Sequence, residues 1–180
     1  MINIDKLEIK TPNYPVNIIS SSKNVFLGCC AHFLGRYDVQ YYKDKIEYAT
    51  LVDLNKDKMI EIKSLYGDQA KWNYIVDDIY KICEQFREEK RLFDIVNIDP
   101  WTNQMEAMWE TDNFKKLYNI CRNFLVLNSS ALFNDKHKIK NSNDYESFIK
   151  KQHNINIKCI DILKRSVHVG GIYWVILSKD

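Results

Sequence analysis

Apolar runs separated by polar and charged stretches predict an alternation of strands and helices along most of this chain. Short, continuously apolar runs are typical of strands that are buried on both faces of a sheet. We expect such strands at residues 24–27, 48–54, 93–98 and 124–127, and a further strand with an alternating pattern at residues 72–76. Each gap between them is long enough for a crossover connection, so these five strands are predicted to be parallel.

Apolar residues at helical spacing predict the helices between these strands. The clearest stripe runs from Ile79 to Phe86 at positions i, i+3, i+4 and i+7. Asp77 or Asp78 would cap the start of that helix. The same spacing recurs over residues 114–121. Further helices are predicted over residues 31–42, 55–65 and 145–152, and a polar surface loop over residues 134–143.

The end of the chain has a different pattern. Two β-rich runs, at residues 157–163 and 172–177, are joined by a segment that contains Gly170 and Gly171. That segment has no room for a helix, and two adjacent strands with a short connection must be antiparallel. The pattern therefore predicts five parallel strands with crossover helices, followed by an antiparallel hairpin.

The composition fits one globular domain. The chain has 180 residues, of which 46% are hydrophobic, and its formal net charge is +2. The basic residues are scattered and mostly lysine, unlike the phosphate-binding stripe of strong nucleic-acid binders. Neither a disordered chain nor a strong polyanion binder is indicated. We expect a single domain, with an N-terminal segment at residues 1–23 and a core at residues 24–179.

The cysteines indicate a reducing compartment. They number five, and none forms a CxxC pair or a zinc-binding pattern with histidine. We expect Cys83, Cys121 and Cys159 to be reduced core residues, the first two on apolar helix faces. No leader is evident at residues 1–10, and no apolar run approaches the roughly 20 residues of a membrane span. These features predict a cytoplasmic protein without a metal site or a membrane partner.

Polar residues stand where three of the buried strands end. Gly28 follows the first strand, Asp53 ends the second, and Asp99, Pro100 and Trp101 follow the fourth. Parallel strands carry their sites at their carboxyl ends, so these residues describe one pocket. A carboxylate only accepts hydrogen bonds, which suits a ribose diol that donates two. The acid-proline-aromatic triplet suits a flat substrate with an amino group, beside a nucleoside-containing cofactor.

Other candidates are weaker. His32 lies near the presumed pocket, whereas His137 and His153 are expected at the surface. Tyr14 and Trp109 are candidates for the pocket edge on position alone. No histidine and cysteine spacing points to a metal centre.

The order of these elements resembles the class I S-adenosylmethionine (SAM)-dependent methyltransferase fold, over residues 24–179. The resemblance implies an α/β, single-domain, Rossmann-like fold with a mostly parallel seven-stranded sheet in the order 3-2-1-4-5-7-6. It also implies that SAM is the cofactor and S-adenosylhomocysteine (SAH) the product. The C-terminal antiparallel hairpin distinguishes this fold from the dinucleotide-binding Rossmann fold.

In that family a glycine-rich turn after the first strand lies against the amino-acid portion of SAM, because side chains there would hold the ligand away from the backbone. Gly28 matches the first glycine of this turn. Cys29, Cys30 and His32 would complete it, although Cys30 and His32 stand where later glycines usually lie. Gly28 as a simple strand end is the alternative interpretation.

Acids after the second and third strands match the family's nucleoside contacts. The resemblance implies that Asp53, with Leu54 beside it, binds the ribose, and that Asp78 and the amide of Ile79 meet the adenine. An acid at the position of Asp53 also occurs in nicotinamide-binding folds. Helix capping is an alternative role for both acids.

The triplet Asp99, Pro100 and Trp101 resembles a shortened acid-Pro-Pro-aromatic motif of amino-directed nucleic-acid methyltransferases. It also resembles the Asp-Pro-Phe motif of tRNA guanine-N2 dimethyltransferases. This implies methyl transfer to an amino nitrogen of a nucleic-acid base, with the acid orienting the amine and the ring stacking on the base. Trp101 as a core residue is the alternative.

Two other functions stay open at this point. A small-molecule methyl acceptor is favoured by the minimal chain, because a large substrate would have to be recognised by the N-terminal segment, the loop at residues 131–143 or a protein partner. The altered glycine turn favours a non-catalytic, cofactor-binding or scaffolding subunit of the same fold.

Overall fold

A computed structural model describes residues 23–28, 46–66, 71–100, 102–165 and 171–179. The strands of these ranges are β1 (Asn24–Gly28), β2 (Tyr48–Asp53), β3 (Trp72–Val76), β4 (Phe93–Ile98), β5 (Cys121–Ser130), β6 (Lys158–Arg165) and β7 (Ile172–Ser178). The helices are α1 (Lys56–Tyr66), α2 (Ile79–Glu88), α3 (Thr102–Glu110), α4 (Asn113–Ile120), α5 (Ala131–His137) and α6 (Ser142–His153). None of these helices is long and apolar enough to cross a membrane. The predicted helix at residues 31–42, and Tyr14, lie outside the described residues.

The strands form a single mixed sheet in the order β3-β2-β1-β4-β5-β7-β6. Strands β1 to β5 pair in parallel, whereas β7 is antiparallel to both β5 and β6. The strand order that the resemblance implies and the C-terminal hairpin predicted from the sequence pattern are therefore confirmed.

Both faces of the sheet are covered, which explains the largely apolar sequences of its central strands. Phe26 of β1 faces the larger apolar layer, to which α2, α4 and α6 contribute. Val25 and Leu27 face the smaller layer, where Met59 and Ile62 of α1 pack. All six residues of β4, the central strand, are buried. Alternate residues of one strand thus enter opposite layers, as the pleat of a strand requires.

The amino end of the sheet is held by one buried acid, Asp94 of β4. Its Oδ2 accepts hydrogen bonds from the backbone N–H groups of Lys23 and Asn24, at 3.0 and 3.1 Å. Its Oδ1 pairs with Arg122 Nη1 at 2.8 Å. Asp94 therefore joins the starts of β1, β4 and β5 and stabilises the register of these strands. The candidate site lies at the other end of the strands.

Two helices differ from the sequence-based expectation. The predicted loop at residues 134–143 is wrong over its first part, where α5 lies, and α3 was not predicted. Helix α5 begins where Ser130 Oγ accepts a hydrogen bond from the N–H of Phe133 at 3.1 Å. Phe133 is fully buried. One cap and one buried ring therefore stabilise a helix whose other residues are largely polar.

The described cysteines are buried free thiols, as predicted. Burial raises the pKa of Cys121 to about 12 and that of Cys159 to about 11, so both stay protonated at neutral pH. The expected helical position of Cys121 is wrong, because α4 ends at Ile120 and Cys121 begins β5. Cys83 lies on the buried face of α2.

The expected surface position of His153 is wrong. The residue is only 5% exposed. Its Nε2 donates a hydrogen bond to the backbone oxygen of Trp109, with 2.7 Å between the two atoms. Its ring stacks on Phe114 with centroids 4.7 Å apart. His153 thus fastens the end of α6 to α3 and α4.

Acidification is expected to destabilise the protein through His153. Burial lowers the pKa of His153 below its ordinary value of 6.5, against the opposing effect of the Trp109 hydrogen bond. The unfolded chain therefore binds a proton near pH 6.5, whereas the folded chain binds it only at lower pH. Between these two values the unfolded state holds more protons, so the free energy of unfolding falls as the pH falls. Urea unfolding at pH 7.5 and 5.5 measures this difference.

His153→Gln keeps an N–H donor without the titration and is expected to reduce the pH dependence. Gln152→Ala is the matched control, because Gln152 Nε2 also bonds the end of α3, at the backbone oxygen of Glu110, with 2.8 Å between the atoms. That control is expected to keep the wild-type pH dependence. An unchanged pH dependence in His153→Gln would contradict the prediction.

Candidate active site

The carboxyl ends of the parallel strands lie side by side along one edge of the sheet. Gly28 pairs in register with Val52 on one side and with Ile98 on the other, and Asp53 pairs with Val76. The chain order of the sheet reverses between β1 and β4, and ligands of open α/β sheets bind outside this point. With about 4.8 Å between strands, the ends of β2 and β4 are separated by about 10 Å.

Gly28 stands at this reversal because there is no room for a side chain. A Cβ atom on Gly28 would lie 2.5 Å from Cδ1 of Ile98 and 3.3 Å from Cγ2 of Ile79. Both neighbours are buried, so a substitution would displace the contact of β1 with β4 and α2. Packing thus explains this glycine without a ligand. Cys29, Cys30 and His32 lie outside the described residues.

Asp53 is half-exposed at the end of β2. Its Oδ1 accepts a hydrogen bond from the N–H of Asn55 at 2.9 Å. Asn55 Oδ1 in turn accepts from the N–H of Lys58, at 3.0 Å, in the first turn of α1. Asn55 is therefore the residue that caps α1, and Asp53 supports it from the strand end. Leu54 is 68% exposed beside it.

Asp78 caps α2, as one of the sequence-based alternatives proposed. Its Oδ1 accepts from the N–H groups of Tyr80 and Lys81 at 2.9 and 3.0 Å. Asp77 pairs with Lys81, and this hydrogen bond lowers the pKa of Asp77. Ile79 buries its side chain, while its N–H, in the first helical position, has no acceptor within the helix.

Asp99 is a buried acid, 6% exposed, at the end of β4. Its N–H donates to the backbone oxygen of Gly28, 3.3 Å away. Its Oδ1 accepts a hydrogen bond from the side-chain amide of Asn128. Pro100 is also buried, and Trp101 lies outside the described residues. The chain therefore brings Asp99 directly beside Gly28, with Asp53 one strand further on.

Solved structures with similar folds were found among group-transfer enzymes. A Streptococcus mutans protein assigned as a SAM-dependent methyltransferase has a TM-score of 0.65 at 14% identity, over 91% of this chain and 46% of its own. Spermidine synthase from Thermotoga maritima has a TM-score of 0.58 at 17% identity, over 92% and 57%. The N-methyltransferase NodS from Bradyrhizobium japonicum has a TM-score of 0.60 at 10% identity, over 91% of both chains.

This is the class I methyltransferase fold. The chain spans about half the length of the first two proteins and nine-tenths of the third. No family model matches the sequence, and no curated protein is significantly similar to it. The similarity at these identities concerns the fold alone, and within it the edge formed by β1, β2 and β4 is the part that carries the candidate residues.

Asn128 is the residue of this edge that sequence reasoning missed. It lies just beyond the strand predicted at residues 124–127, whereas β5 extends to Ser130. Because Ile98 pairs with Leu127, the next residues, Asp99 and Asn128, lie side by side. An amide directly after an apolar run was the available signal, but only the register of β4 and β5 shows what it contacts.

Trp109 is not at the pocket edge, contrary to the expectation. It is fully buried and lies between the rings of Phe114 and Phe133, at centroid distances of 5.7 and 5.8 Å. Its Nε1 donates to the backbone oxygen of Asn128 at 2.8 Å. Trp109 therefore supports the end of β5 from within the core of the methyltransferase fold.

The arrangement offers hydrogen-bond acceptors and backbone groups rather than metal ligands. Among the described residues, no group of three or more His, Cys, Asp and Glu side chains could hold a metal ion. A half-exposed carboxylate, Asp53, and a buried one, Asp99, lie on either side of Gly28. Such an edge can accept hydrogen bonds from a diol on one side and from an amine on the other.

Proposed function

We propose that this protein is a SAM-dependent methyltransferase that acts on an amino nitrogen, that of a base in RNA or DNA. The observation that carries the proposal is the buried carboxylate of Asp99 at the end of β4. The backbone N–H of Asp99 is hydrogen-bonded to the backbone oxygen of Gly28, so the two residues lie side by side. Asp99 lies at the reversal of strand order where this fold places its ligands.

The proposed cofactor follows the edge from β3 to β1. The methionine end of SAM would lie against Gly28 and the turn of Cys29, Cys30 and His32. The ribose hydroxyls would donate to Asp53, beside Leu54. Two observations support this placement. The carboxylate of Asp53 is half-exposed, and α1 is capped by Asn55 rather than by Asp53.

The adenine would lie at the start of α2. There the backbone N–H of Ile79 would donate to a ring nitrogen, since the helix gives it no acceptor of its own. Asp78 would accept from the exocyclic amine while its Oδ1 caps the helix. Both roles are compatible with the described cap because a carboxylate has two oxygen atoms.

The proposed reaction needs orientation more than acid-base catalysis. Asp99 would accept a hydrogen bond from the acceptor amine and direct its lone pair at the methyl carbon. When bound, SAM would supply an electrophilic methyl group and leave as the uncharged thioether SAH, and the methylated nitrogen would release one proton to water. Pro100 would hold the chain at this point, and Trp101 would stack on the base.

A small-molecule amine is the second candidate acceptor. The net charge is only +2, and the lysines are scattered rather than arranged in a stripe that would follow a phosphate backbone. The fold is also shared with the N-methyltransferase NodS and with a spermidine synthase. Both candidate acceptors present an amino nitrogen to Asp99, so they differ in what surrounds the nitrogen.

Calorimetric titration with SAM, SAH and, as a control, NAD tests the cofactor. We expect micromolar binding of SAM and SAH and none of NAD. Incubation with tritium-labelled SAM and RNA, single-stranded DNA or a mixture of polyamines then identifies the acceptor class. Absence of SAM and SAH binding would contradict the proposal and favour a non-catalytic subunit of this fold.

A further inference from the structure

We infer that Asn128 is a positioning residue for the acceptor site, acting through Asp99. This inference rests on the proposed function, because it concerns the carboxylate that would orient the amine. Asn128 lies at the end of β5, directly beside Asp99, because of the pairing of Leu127 with Ile98. Its amide Nδ2 donates a hydrogen bond to Asp99 Oδ1.

The amide of Asn128 is held in one place by its backbone. Asn128 pairs with Trp174 of β7 in the antiparallel part of the sheet. Its backbone oxygen accepts the Nε1–H of Trp109 at 2.8 Å, and both residues are fully buried. The donor that meets Asp99 therefore belongs to a rigid part of the core.

Stability alone gives a poor account of an asparagine at this position. The carbonyl oxygen Oδ1 of Asn128 is buried and has no hydrogen-bond partner among the described residues. A buried acceptor without a partner is destabilising, and an apolar side chain of similar size would avoid that cost. The position thus retains a donor for Asp99 at the expense of an unpaired oxygen.

The consequence for the reaction is the orientation of the carboxylate. With Oδ1 of Asp99 engaged by Asn128, rotation of the carboxyl group is restricted, and its second oxygen takes a defined direction. An amine hydrogen-bonded to that oxygen is then aligned with the methyl group before transfer. Loss of the Asn128 donor would leave Asp99 in place with its carboxyl group less restricted, which is expected to lower turnover rather than SAM binding.

The test is a double-mutant cycle on methyl transfer from tritium-labelled SAM to RNA, single-stranded DNA and polyamines, using whichever acceptor the wild-type protein methylates. Asn128→Leu has nearly the same size and lacks the donor. We expect it to lower kcat about 10- to 100-fold while the KM for SAM changes less than about twofold. In an Asp99→Ala background, the same substitution is expected to have almost no further effect.

Ser129→Ala is the matched control. Ser129 is the adjacent buried residue of β5, and its Oγ donates to Asn134 Oδ1 at 2.9 Å rather than to the candidate site. We expect kcat of this variant to stay near that of the wild type. Should Asn128→Leu fail to fold, Asn128→Ser provides a second variant. Its hydroxyl donor is on a shorter side chain, and kcat is expected to fall in the same direction.

Three results would overturn the inference. An unchanged kcat in the Asn128 variants would mean that Asn128 does not act through Asp99. The same conclusion would follow if the double variant lost activity by the product of the two single-variant factors. If the wild-type protein binds SAM but methylates none of the three probes, the protein lacks the amine-binding site on which the inference rests. Failure to bind SAM at all would instead contradict the proposed function, and the two failures are thereby distinguished.

Discussion

Replacing Asp99 by alanine is expected to lower methyl transfer about 100-fold while leaving the affinity for SAM nearly unchanged. The carboxylate is proposed to orient the acceptor amine, and a loss of orientation affects the reaction rather than the binding of the cofactor. Asp99 is buried and contacts Gly28 through its backbone, which the substitution retains. Initial rates with tritium-labelled SAM, together with calorimetric titration of SAM, measure both quantities.

Two controls make this result interpretable. Asp161→Ala removes an exposed acid from the edge strand β6 and is expected to leave the rate unchanged. Circular dichroism of Asp99→Ala checks that the sheet is intact, because Asp99 also accepts the hydrogen bond of Asn128. Full activity of a folded Asp99→Ala variant would show that the acceptor site is not at this end of β4.

Replacing Asp53 by alanine is expected to weaken SAM binding about 10- to 100-fold. A hydrogen bond to a charged acceptor contributes about 1.5–3 kcal/mol, and about 1.4 kcal/mol is a factor of ten in affinity, so the net loss of one bond from the ribose accounts for this range. The fold should survive, since α1 is capped by Asn55, whose Oδ1 accepts from the N–H of Lys58. Calorimetry with SAM and SAH measures the change.

Asp57→Ala is the matched control for charge. Asp57 is an exposed acid in the first turn of α1, four residues beyond Asp53, so both variants lose one negative charge near the same strand end. We expect its SAM affinity to stay within about twofold of the wild type. Equal affinities in the Asp53 and Asp57 variants would show that the ribose is not bound by Asp53.

The sheet could be predicted from the sequence because its central strands are buried on both faces. A strand such as β4, whose six residues are all buried, has an apolar pattern that needs no knowledge of its neighbours. The hairpin of β6 and β7 followed from a connection too short for a helix. Local pattern and tertiary structure agree in these elements.

The errors concern residues whose environment is set by distant parts of the chain. His153 lies in a polar helix end, yet it is buried because Phe114 and Trp109, about 40 residues away, receive its ring and its N–H. Helix α5 has a single fully buried anchor, Phe133, in a polar segment. No periodicity in the sequence reveals such contacts.

The candidate site was predictable only in part. Gly28, Asp53 and Asp99 could be placed at strand ends because parallel strands share one edge. The capping role of Asp78 was expected as an alternative and is present. Asn128 could not be connected to Asp99 without the register of β4 and β5, which depends on the packing of both strands rather than on either sequence.

Strand β5 lies between the parallel strands of the sheet and its C-terminal hairpin. On one side β5 runs parallel to β4, and on the other it runs antiparallel to β7, whose Trp174 pairs with Asn128. Changes in the hairpin would therefore act on Asn128 and, through its hydrogen bond, on the side chain of Asp99 before they reach β1 and β2. In the proposed assignment, substitutions in the C-terminal hairpin would thus alter the orientation of the acceptor amine, whereas the proposed cofactor residues follow strands that do not pair with the hairpin.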